Sequence, residues 1–281
     1  MRIRKVTIIG VGLIGGSLGL AIKKRRKAVD ITGVTAHKST LRKALERGSI
    51  DRGTLEVGKS VTGADLVIIA TPVDRILSTI RAIIPHLKKD TLVMDVGSVK
   101  GSIVGRAERL IKGNGTFVGA HPMAGSEQRG IGKAGADLFE DSPCIVTKTK
   151  DTNKKAYGKA VSFWRGLGAS VYTFSPEEHD RRIAGVSHLP HIAAAALCLV
   201  TEPRLLKLAS SGYRDTTRIA SGDPAIWVPI LLSNGKNASR EIRRYIAALK
   251  KIDKAISKND RALLKSTLEK AKSNKEFFDS L

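Results

Sequence analysis

The stretch KVTIIGVGLIGGS, residues 5–17, decides the fold of this chain. An apolar run, KVTII, leads into three glycines and then into a helical pattern, LIGGSLGLAIKK. In a strand-turn-helix unit the first glycine permits a tight turn, the second lets the backbone approach a pyrophosphate, and the third lets the helix pack on the strand. Phosphates then meet the start of the helix. The motif predicts a Rossmann-type domain that holds a dinucleotide at Gly10, Gly12, Leu13, Ile14 and Gly15.

Outward from this motif, the first part of the chain alternates short β-type runs with helical patterns. The predicted strands are residues 6–10, 31–35, 65–70, 91–95, 116–119, 144–147 and 170–174. Residues 74–87 and 99–111 have the length of crossover helices, so the pattern predicts a mostly parallel, doubly wound α/β sheet. Helical patterns follow at 176–200, 202–209, 225–232, 238–258 and 261–278. We therefore predict an NAD(P)-binding domain over residues 1–174 and an all-helical substrate and dimerisation domain over 175–281.

Composition and charge limit the class of protein. The chain has 281 residues, 42% of them hydrophobic and 27% charged, which is typical of a soluble globular protein with two modest domains. No apolar run is expected to span a membrane, and residues 1–4 leave no room for a signal peptide before the first strand, so we predict a cytoplasmic protein. Cys144 and Cys198 lack CxxC spacing and are expected to be buried free thiols.

The formal net charge of +23 raises the question of nucleic-acid binding. The basic residues are mostly scattered among acids, and aromatic residues make up only 4% of the chain, too few for a base-stacking surface. We therefore expect no nucleic-acid partner. A basic field would attract a phosphorylated cofactor and an anionic substrate, and a solvated surface adapted to the host is the alternative.

The end of the second predicted strand bears on the choice of cofactor. An acid commonly stands here and holds the ribose hydroxyls of NAD. This chain has Thr35 instead, followed by His37, Lys38 and Ser39. With no carboxylate to repel a 2′-phosphate and a lysine nearby, the loop favours NADP over NAD. The alternative is an ordinary loop in a protein that accepts both cofactors.

More polar residues follow later strands, at the edge where an open parallel sheet binds its ligands. ATPVD, residues 70–74, adds Thr71 and Pro72 to the predicted cofactor site. DVGSVK, residues 95–100, adds Ser98 as a site candidate, although this serine alone would suit a helix N-cap. Lys100 is expected to be a phosphate or surface contact.

Two peptides carry candidate histidines. GAHPMAGSE, residues 119–127, follows a strand and holds His121 in a loop fixed by proline, where its imidazole could accept a proton. SHLPH, residues 187–191, places His188 and His191 on one helix face. We expect no metal here, because no Cys, Asp or Glu completes a recognisable zinc set.

A third peptide, SGYRDTTR at residues 211–218, carries a candidate anion clamp. Its Arg214 and Arg218 each present the planar fork of donors that can bind a carboxylate through two parallel hydrogen bonds. Surface ion pairing is the common alternative for such arginines. Trp227, shortly downstream, is as well suited to packing as to substrate contact.

Together with the opening GVGLIGGS, these three peptides closely resemble the prephenate and arogenate dehydrogenases of tyrosine biosynthesis. The likeness runs from the first strand to beyond Pro224. It implies NAD(P)-dependent oxidative decarboxylation of a cyclohexadienol acid by a homodimer. It also implies that His121 accepts the hydrogen bond or proton of the ring hydroxyl and that Ser98 bonds near it, while Arg214 binds a carboxylate. The residues then expected to line the substrate pocket are Ser126, Glu127, His188 and His191.

The resemblance leaves the substrate open. Prephenate would give 4-hydroxyphenylpyruvate, whereas arogenate would give tyrosine directly. Glu127 and His191 resemble the prephenate users, while the loop GVTAHKST, residues 33–40, resembles NADP-using arogenate enzymes; we expect prephenate. Another NADP-linked reductase would share the glycine motif without a reason to carry all three later peptides, and a non-catalytic NADP sensor would show no turnover.

Overall fold

The fold is organised around an eight-stranded sheet. The computed structural model describes residues 3–26, 28–125 and 130–280. In chain order the strands are β1 (Lys5–Ile9), β2 (Asp30–Val34), β3 (Arg52–Thr54), β4 (Leu66–Ile69), β5 (Leu92–Asp95), β6 (Thr116–Pro122), β7 (Pro143–Thr147) and β8 (Ser170–Phe174). Their spatial order is β3-β2-β1-β4-β5-β6-β7-β8. All neighbouring pairs are parallel except β6 with β7. The strand order reverses between β1 and β4, which is where such sheets bind dinucleotides.

Helices cover both faces of the sheet. The helices of this part are α1 (Leu13–Arg25), α2 (Lys38–Glu46), α3 (Ile76–Ile83), α4 (Val104–Ile111) and α5 (Lys154–Gly166). Alternate residues of each strand point to opposite faces, so Ile8 belongs to the apolar cluster that contains residues of α1 and α5, while Ile9 belongs to the cluster that contains residues of α3 and α4. The result is two apolar clusters with the sheet between them. The predicted doubly wound α/β fold is confirmed.

After β8 the chain is helical. The helices are α6 (Pro176–Ile183), α7 (Leu189–Val200), α8 (Ser211–Thr217), α9 (Pro224–Ser233), α10 (Gly235–Ser257) and α11 (Arg261–Asp279). A π-helical turn, Ala184–His188, joins α6 to α7 in one continuous helix. Ser175 begins it as an N-cap, because its hydroxyl accepts a hydrogen bond from the Glu178 amide.

The structure forms two compact units, Met1–Gly235 and Lys236–Leu281. Helices α6 to α9 thus belong to the first unit together with the sheet, and the second unit comprises most of α10 with α11. The predicted boundary after residue 174 coincides with the change from strand to helix. As a domain boundary it stays a prediction.

Several details of the predicted secondary structure differ. β3 was missed because it has only three residues, RGT, with no apolar alternation. The helix expected at 202–209 is a 3-10 helix, Pro203–Leu208. All seven predicted strands are present within a residue or two of the expected ends, except that β6 extends three residues further and so includes His121.

The long helix Pro176–Val200 corrects two expectations. In the described chain it is long and apolar enough to cross a membrane, with a mean hydropathy of 1.7 over 18 residues, so the expectation that no such run exists was wrong. The charged residues of this helix lie in its first turns, and residues 183–200 contain two histidines and a proline but no Asp, Glu, Lys or Arg. Cys198, near its end, is exposed rather than buried, because none of the described residues covers that face; Cys144 is buried and free as expected.

Candidate active site

The glycine loop after β1 is shaped by contacts that exclude side chains. Gly10 has a φ of +98°, and a Cβ there would lie 2.5 Å from the carbonyl oxygen of Ala70. A Cβ on Gly15 would lie 1.9 Å from the carbonyl oxygen of Gly10. At Gly12, in contrast, a Cβ would meet nothing within 4 Å. The loop is therefore closed on the side of the protein and open at Gly12.

The surroundings of this loop fit a dinucleotide. Gly12 caps α1 without a side chain, so the first amides of the helix, at Leu13 and Ile14, are available to an anion. Thr71, directly after β4, has a buried hydroxyl with no hydrogen-bond partner among the described residues. A buried orphan hydroxyl implies a partner from outside the chain. Pro72 follows it and is exposed.

The residues predicted to select the cofactor lie at the end of β2 and the start of α2. Thr35 follows β2 and is half-buried, and its amide donates to the Thr54 carbonyl at 3.4 Å. His37 is the residue before α2, and Lys38 and Ser39 form the first positions of that helix; all three are exposed. The first turn of α2 contains no acidic residue. A lysine and a helix N-terminus thus share an exposed, electropositive corner.

His121 lies at the centre of a buried polar chain. It is the penultimate residue of β6 and only 7% exposed, so the expectation of a surface loop was wrong. Its Nδ1 lies 2.9 Å from Nε2 of His179, a residue 58 positions away in α6. The Nδ1 atom of His179 lies 2.8 Å from Oδ1 of Asp180. Three side chains from two distant segments thus form one hydrogen-bonded row.

Asp180 connects this row to the segment after β5. Its two carboxylate oxygens accept hydrogen bonds from the amides of Lys100 and Gly101, each at 2.8 Å. The Lys100 side chain is fully buried, so the expectation of a phosphate or surface contact was wrong. Its ammonium donates to Asp95 at 2.5 Å and to the Gly97 carbonyl at 2.6 Å.

The same ammonium holds the segment on both sides of Ser98. Besides the Gly97 carbonyl it reaches the Val99 carbonyl at 3.2 Å. Ser98 itself is half-buried and stands between these two tethered residues. A buried lysine is unusual unless paired, and here the carboxylate and the carbonyls satisfy all three of its donors. Lys100 therefore fixes the backbone that presents Ser98.

A second pair of histidines lies on the long helix. His188, at the end of the π-helical turn, is fully buried, and its Nδ1 lies 3.3 Å from the side-chain nitrogen of Asn234. His191 stacks on Trp227, with ring centroids 3.7 Å apart and planes at 6°. Nε2 of His188 and Nδ1 of His191 are buried without a partner in the described part of the chain. Such atoms are available to a ligand.

Burial keeps these histidines neutral at pH 7. Desolvation holds the pKa of His121 well below 6.5, and the nearby His179, Lys100 and His188 lower it further. Burial also lowers the pKa of His179, although the Asp180 carboxylate opposes that shift. For His188 burial lowers the pKa to about 4, and for His191 burial lowers it too. A neutral imidazole at His121 can act as a proton acceptor.

The remaining predicted site residues are not part of this cluster. Arg214 is exposed on α8, which packs against α7, and in the described residues no hydrogen bond or ion pair joins its guanidinium to the histidines. Arg218 is also exposed, just after α8. Ser126 and Glu127 lie outside the described residues. The structure thus brings His121 together with His188 and, through Lys100, with the segment of Ser98.

The sequence analysis missed three members of the cluster: His179, Asp180 and Asn234. The first two lie in SPEEHDRR, which has the composition of a solvated helix surface. A usable signal was the N-cap serine before Pro176, because it starts the helix at a position that fixes which residues face inward.

Two family models together match almost the whole chain. Residues 18–173 match the model described as prephenate dehydrogenase, nucleotide-binding domain, and residues 175–270 match prephenate dehydrogenase, dimerization domain. This chain belongs to the prephenate/arogenate dehydrogenase family. Membership confirms the expectation of an NAD(P)-dependent oxidoreductase with a nucleotide-binding domain.

Relatives within the family are similar over nearly the full chain. The prephenate dehydrogenase of Bacillus subtilis is 36% identical over 262 residues, which are 91% of this chain and 71% of that protein. The cyclohexadienyl dehydrogenase of Zymomonas mobilis is 32% identical over 268 residues, 92% of this chain and 90% of that protein.

Two solved structures show the same fold. The prephenate dehydrogenase of A. aeolicus, in complex with hydroxyphenyl propionate and NAD+, superposes with a TM-score of 0.93 at 32% identity and covers 99% of both chains. The arogenate dehydrogenase of Synechocystis has a TM-score of 0.81 at 31% identity, over 98% of this chain and 99% of that chain. The family therefore includes similar members named for either acid.

Proposed function

We propose that this protein oxidatively decarboxylates prephenate to 4-hydroxyphenylpyruvate in tyrosine biosynthesis, using NAD(P). The observation that carries the proposal is His121, a buried imidazole kept neutral by its surroundings and held by His179 at the C-terminal end of a sheet whose glycine loop fits a dinucleotide. An acceptor for a hydroxyl proton thus lies on the sheet edge where the cofactor would bind.

In the proposed mechanism, His121 takes the proton of the ring hydroxyl. The nicotinamide, when bound, accepts a hydride from the carbon that carries this hydroxyl. Ser98 hydrogen-bonds the same hydroxyl, and its position is fixed by the contacts of Lys100 to the carbonyls on either side. When carbon dioxide leaves and the ring becomes aromatic, His121 returns its proton to the ring oxygen. The residues of the site therefore take up no net proton in a turnover.

We assign substrate contacts to the second group of predicted residues. His188 and His191 offer buried nitrogen atoms with no partner in the described chain, and Trp227 supports the ring of His191. Arg214 would bind a substrate carboxylate through its planar fork, with Arg218 as the second candidate. Ser126 and Glu127 keep their proposed places in the substrate loop.

We propose NADP as the preferred cofactor, with NAD also accepted. Gly10, Gly12, Leu13, Ile14, Gly15, Thr71 and Pro72 would hold the shared part of either molecule. Preference would come from Thr35, His37, Lys38 and Ser39. A 2′-phosphate at this corner would face the start of α2 and a lysine, and no acidic residue occupies the first turn of the helix.

The second candidate substrate is arogenate, favoured by the similarity to the Synechocystis arogenate dehydrogenase. Steady-state rates for both acids with both cofactors test the proposal. We expect the highest kcat/KM for prephenate with NADP, because NADP-binding features accompany the predicted prephenate pocket. A higher value for arogenate would replace prephenate as the substrate. Turnover of neither acid, with NADP still bound, would indicate a different reductase or a cofactor sensor.

We also propose a homodimer. Near the end of the long helix, Leu199 is 87% exposed and Val200 77%, and Leu232 in α9 is 77% exposed. Such apolar exposure marks an interaction surface, and a second copy would cover it. Light scattering should give twice the chain mass of 30.2 kDa. A monomer that needs detergent to stay dissolved would favour a membrane contact instead. Absence of membrane and nucleic-acid partners, and a cytoplasmic location, stay predictions.

A further inference from the structure

The hydrogen-bonded row at His121 has a direction that its chemistry fixes. Asp180 accepts hydrogen bonds from the amides of Lys100 and Gly101, and a carboxylate that serves two amide donors has no hydrogen to give. Nδ1 of His179, 2.8 Å from Asp180, must therefore be the donor. Since a neutral imidazole carries one hydrogen, Nε2 of His179 is an acceptor.

The same argument continues to His121. Its Nδ1 lies 2.9 Å from Nε2 of His179, so Nδ1 of His121 must carry the hydrogen. The lone pair of His121 is then on Nε2. We infer that His179 and Asp180 are positioning residues that hold His121 in the tautomer whose Nε2 accepts the substrate proton, and that this row also receives the positive charge formed there. The inference rests on the proposed function, in which His121 is the base.

The row can move charge away from His121 with every proton accounted for. When Nε2 of His121 gains the hydroxyl proton, its Nδ1 hydrogen can pass to Nε2 of His179. One proton enters the His121 ring and one leaves it. An imidazolium at His179 is hydrogen-bonded to the Asp180 carboxylate. An imidazolium at His121 would be hydrogen-bonded to the ring of His179 and, among the described residues, to no carboxylate. Return of the proton to the ring oxygen reverses both transfers.

The charged and titratable groups around the row are few. Lys100 and its partner Asp95 face it from the segment that begins at β5, and His188 faces it from the π-helical turn. Lys100 and His188 disfavour a positive charge on His121, and Asp180 and Asp95 favour one on His179. The surrounding charges therefore favour the placement that the row permits.

His188 has the opposite tautomer and cannot replace His121. The side-chain nitrogen of Asn234 donates to the Asp180 carbonyl oxygen at 2.7 Å, and a carbonyl oxygen only accepts, so that atom is the amide NH₂. The same NH₂ lies 3.3 Å from Nδ1 of His188, which must accept. The hydrogen of His188 is thus on Nε2. The cluster presents an acceptor at His121 and a donor at His188.

Variants of the row separate its two roles. His179→Leu removes the acceptor for Nδ1 of His121, whereas His179→Gln keeps an oxygen acceptor that cannot take a proton. Asp180→Asn keeps an oxygen for His179 and loses the charge. Glu178→Gln is the matched control, because Glu178 is on the same helix and pairs with Arg182 at the surface. Thermal unfolding of each variant checks the fold.

The measurement combines kinetics with nitrogen NMR of histidine-labelled protein, in which His121→Asn identifies the resonances of His121. We expect His121 protonated at Nδ1 in the unaltered protein. His179→Leu should mix the tautomers and lower kcat by roughly 10²- to 10⁴-fold, the range spanned by loss of an outer partner and by a wrong tautomer. His179→Gln should keep the tautomer of His121 and lower kcat by less than His179→Leu does. KM should be the same in both variants as in the unaltered protein.

The pH profile adds a readout that a structural role would not move. Asp180→Asn removes the negative charge that favours a protonated row, so the acidic limb of kcat should move to lower pH, and Glu178→Gln should leave it in place. A hydrogen on Nε2 of His121 in the unaltered protein would overturn the inference, even if no variant of His179 or Asp180 folds. Unaltered kcat in a folded His179→Leu would also overturn it. Absence of turnover in the unaltered protein would refute the proposed function alone, because the tautomer is measured independently.

Discussion

The glycine loop and the histidine row prepare their ligand sites in opposite ways. The loop at Gly10, Gly12 and Gly15 works by leaving side chains out, so that backbone atoms approach each other and a ligand. The row at His121, His179 and Asp180 works by burying polar side chains and giving each a hydrogen-bond partner. The effect of a substitution in the loop therefore depends on whether the added side chain has space. The effect of a substitution in the row depends on which hydrogen-bond donor or acceptor loses its partner.

The largest expected effect is at the reacting end of the row. His121→Asn should lower kcat by roughly 10²- to 10⁴-fold, the usual contribution of a positioned base, and leave cofactor affinity unchanged. In the unaltered protein kcat should fall as pH drops through the pKa of His121, which lies well below 6.5, because only the neutral imidazole accepts a proton. The variant should lack this limb. Both are measured as kcat against pH.

A control for this variant is His86→Asn, in the short helix after α3, away from the row. His86→Asn should leave the dependence of kcat on pH unchanged. Near-normal turnover of His121→Asn with an intact acidic limb would make His121 structural. The base would then have to be sought at His191, because the hydrogen on Nε2 excludes His188.

The loop offers a matched pair of glycine substitutions. Gly15→Ala places a methyl group 1.9 Å from a backbone oxygen and should lower the free energy of unfolding by about 3 kcal/mol. Gly12→Ala meets no protein atom within 4 Å and should change it by less than about 0.5 kcal/mol. The methyl group of Gly12→Ala would still stand where the pyrophosphate approaches, so cofactor affinity should fall roughly tenfold, or about 1.4 kcal/mol.

Urea unfolding and cofactor titration of both variants provide the comparison. Equal stability losses would show that the loop is not closed on one side and open on the other. A Gly12→Ala protein with unchanged cofactor affinity would move the pyrophosphate away from this loop.

The next effect concerns the proposed carboxylate clamp. Arg214→Lys keeps the charge but loses the planar fork, so KM for the acid should rise roughly tenfold, equivalent to one charged hydrogen bond of about 1.5 kcal/mol. Cofactor binding should be unaffected. Arg218→Lys is the parallel variant and should change KM less. If Arg214→Ala leaves KM unaltered, the clamp is not at Arg214 and Arg218 becomes the candidate.

The smallest effect is expected at the cofactor-selecting corner. Thr35→Asp would place a carboxylate against a 2′-phosphate and should shift the preference toward NAD by ~1 to 2 kcal/mol. The ratio of kcat/KM for the two cofactors measures it. Thr62→Asp adds the same charge at an exposed position after the 3-10 helix Lys59–Val61 and should leave the ratio unchanged. An unchanged ratio in Thr35→Asp would remove this corner from the choice of cofactor.

The same two regions differ in how far the sequence predicts them. The glycine loop is local: its contacts join residues within a few positions or on neighbouring strands, so motif and fold could be predicted together. His121 and His188 were found because they stand in distinctive peptides. His179 and Asp180 were missed, because their partners lie 58 to 80 residues away and nothing nearby in the sequence signals them. The burial of Lys100 was missed although its ammonium binds Asp95, Gly97 and Val99, all within five residues.

The π-helical turn Ala184–His188 sets the direction in which His188 points around the helix axis relative to His179. His179 and His188 are nine positions apart, and at about 100° per residue an unbroken α-helix would place them about 180° apart, on opposite sides. A π-helical turn absorbs one additional residue, which reduces the angle to about 80°. Whether His179 and His188 face the same side of the helix therefore depends on how the turn accommodates one additional residue. Deleting one residue from the turn would leave a regular α-helix with the two histidines eight positions apart, again at about 80°, so His188 should keep its direction. Straightening the turn without a deletion would instead rotate His188 and His191 out of the site.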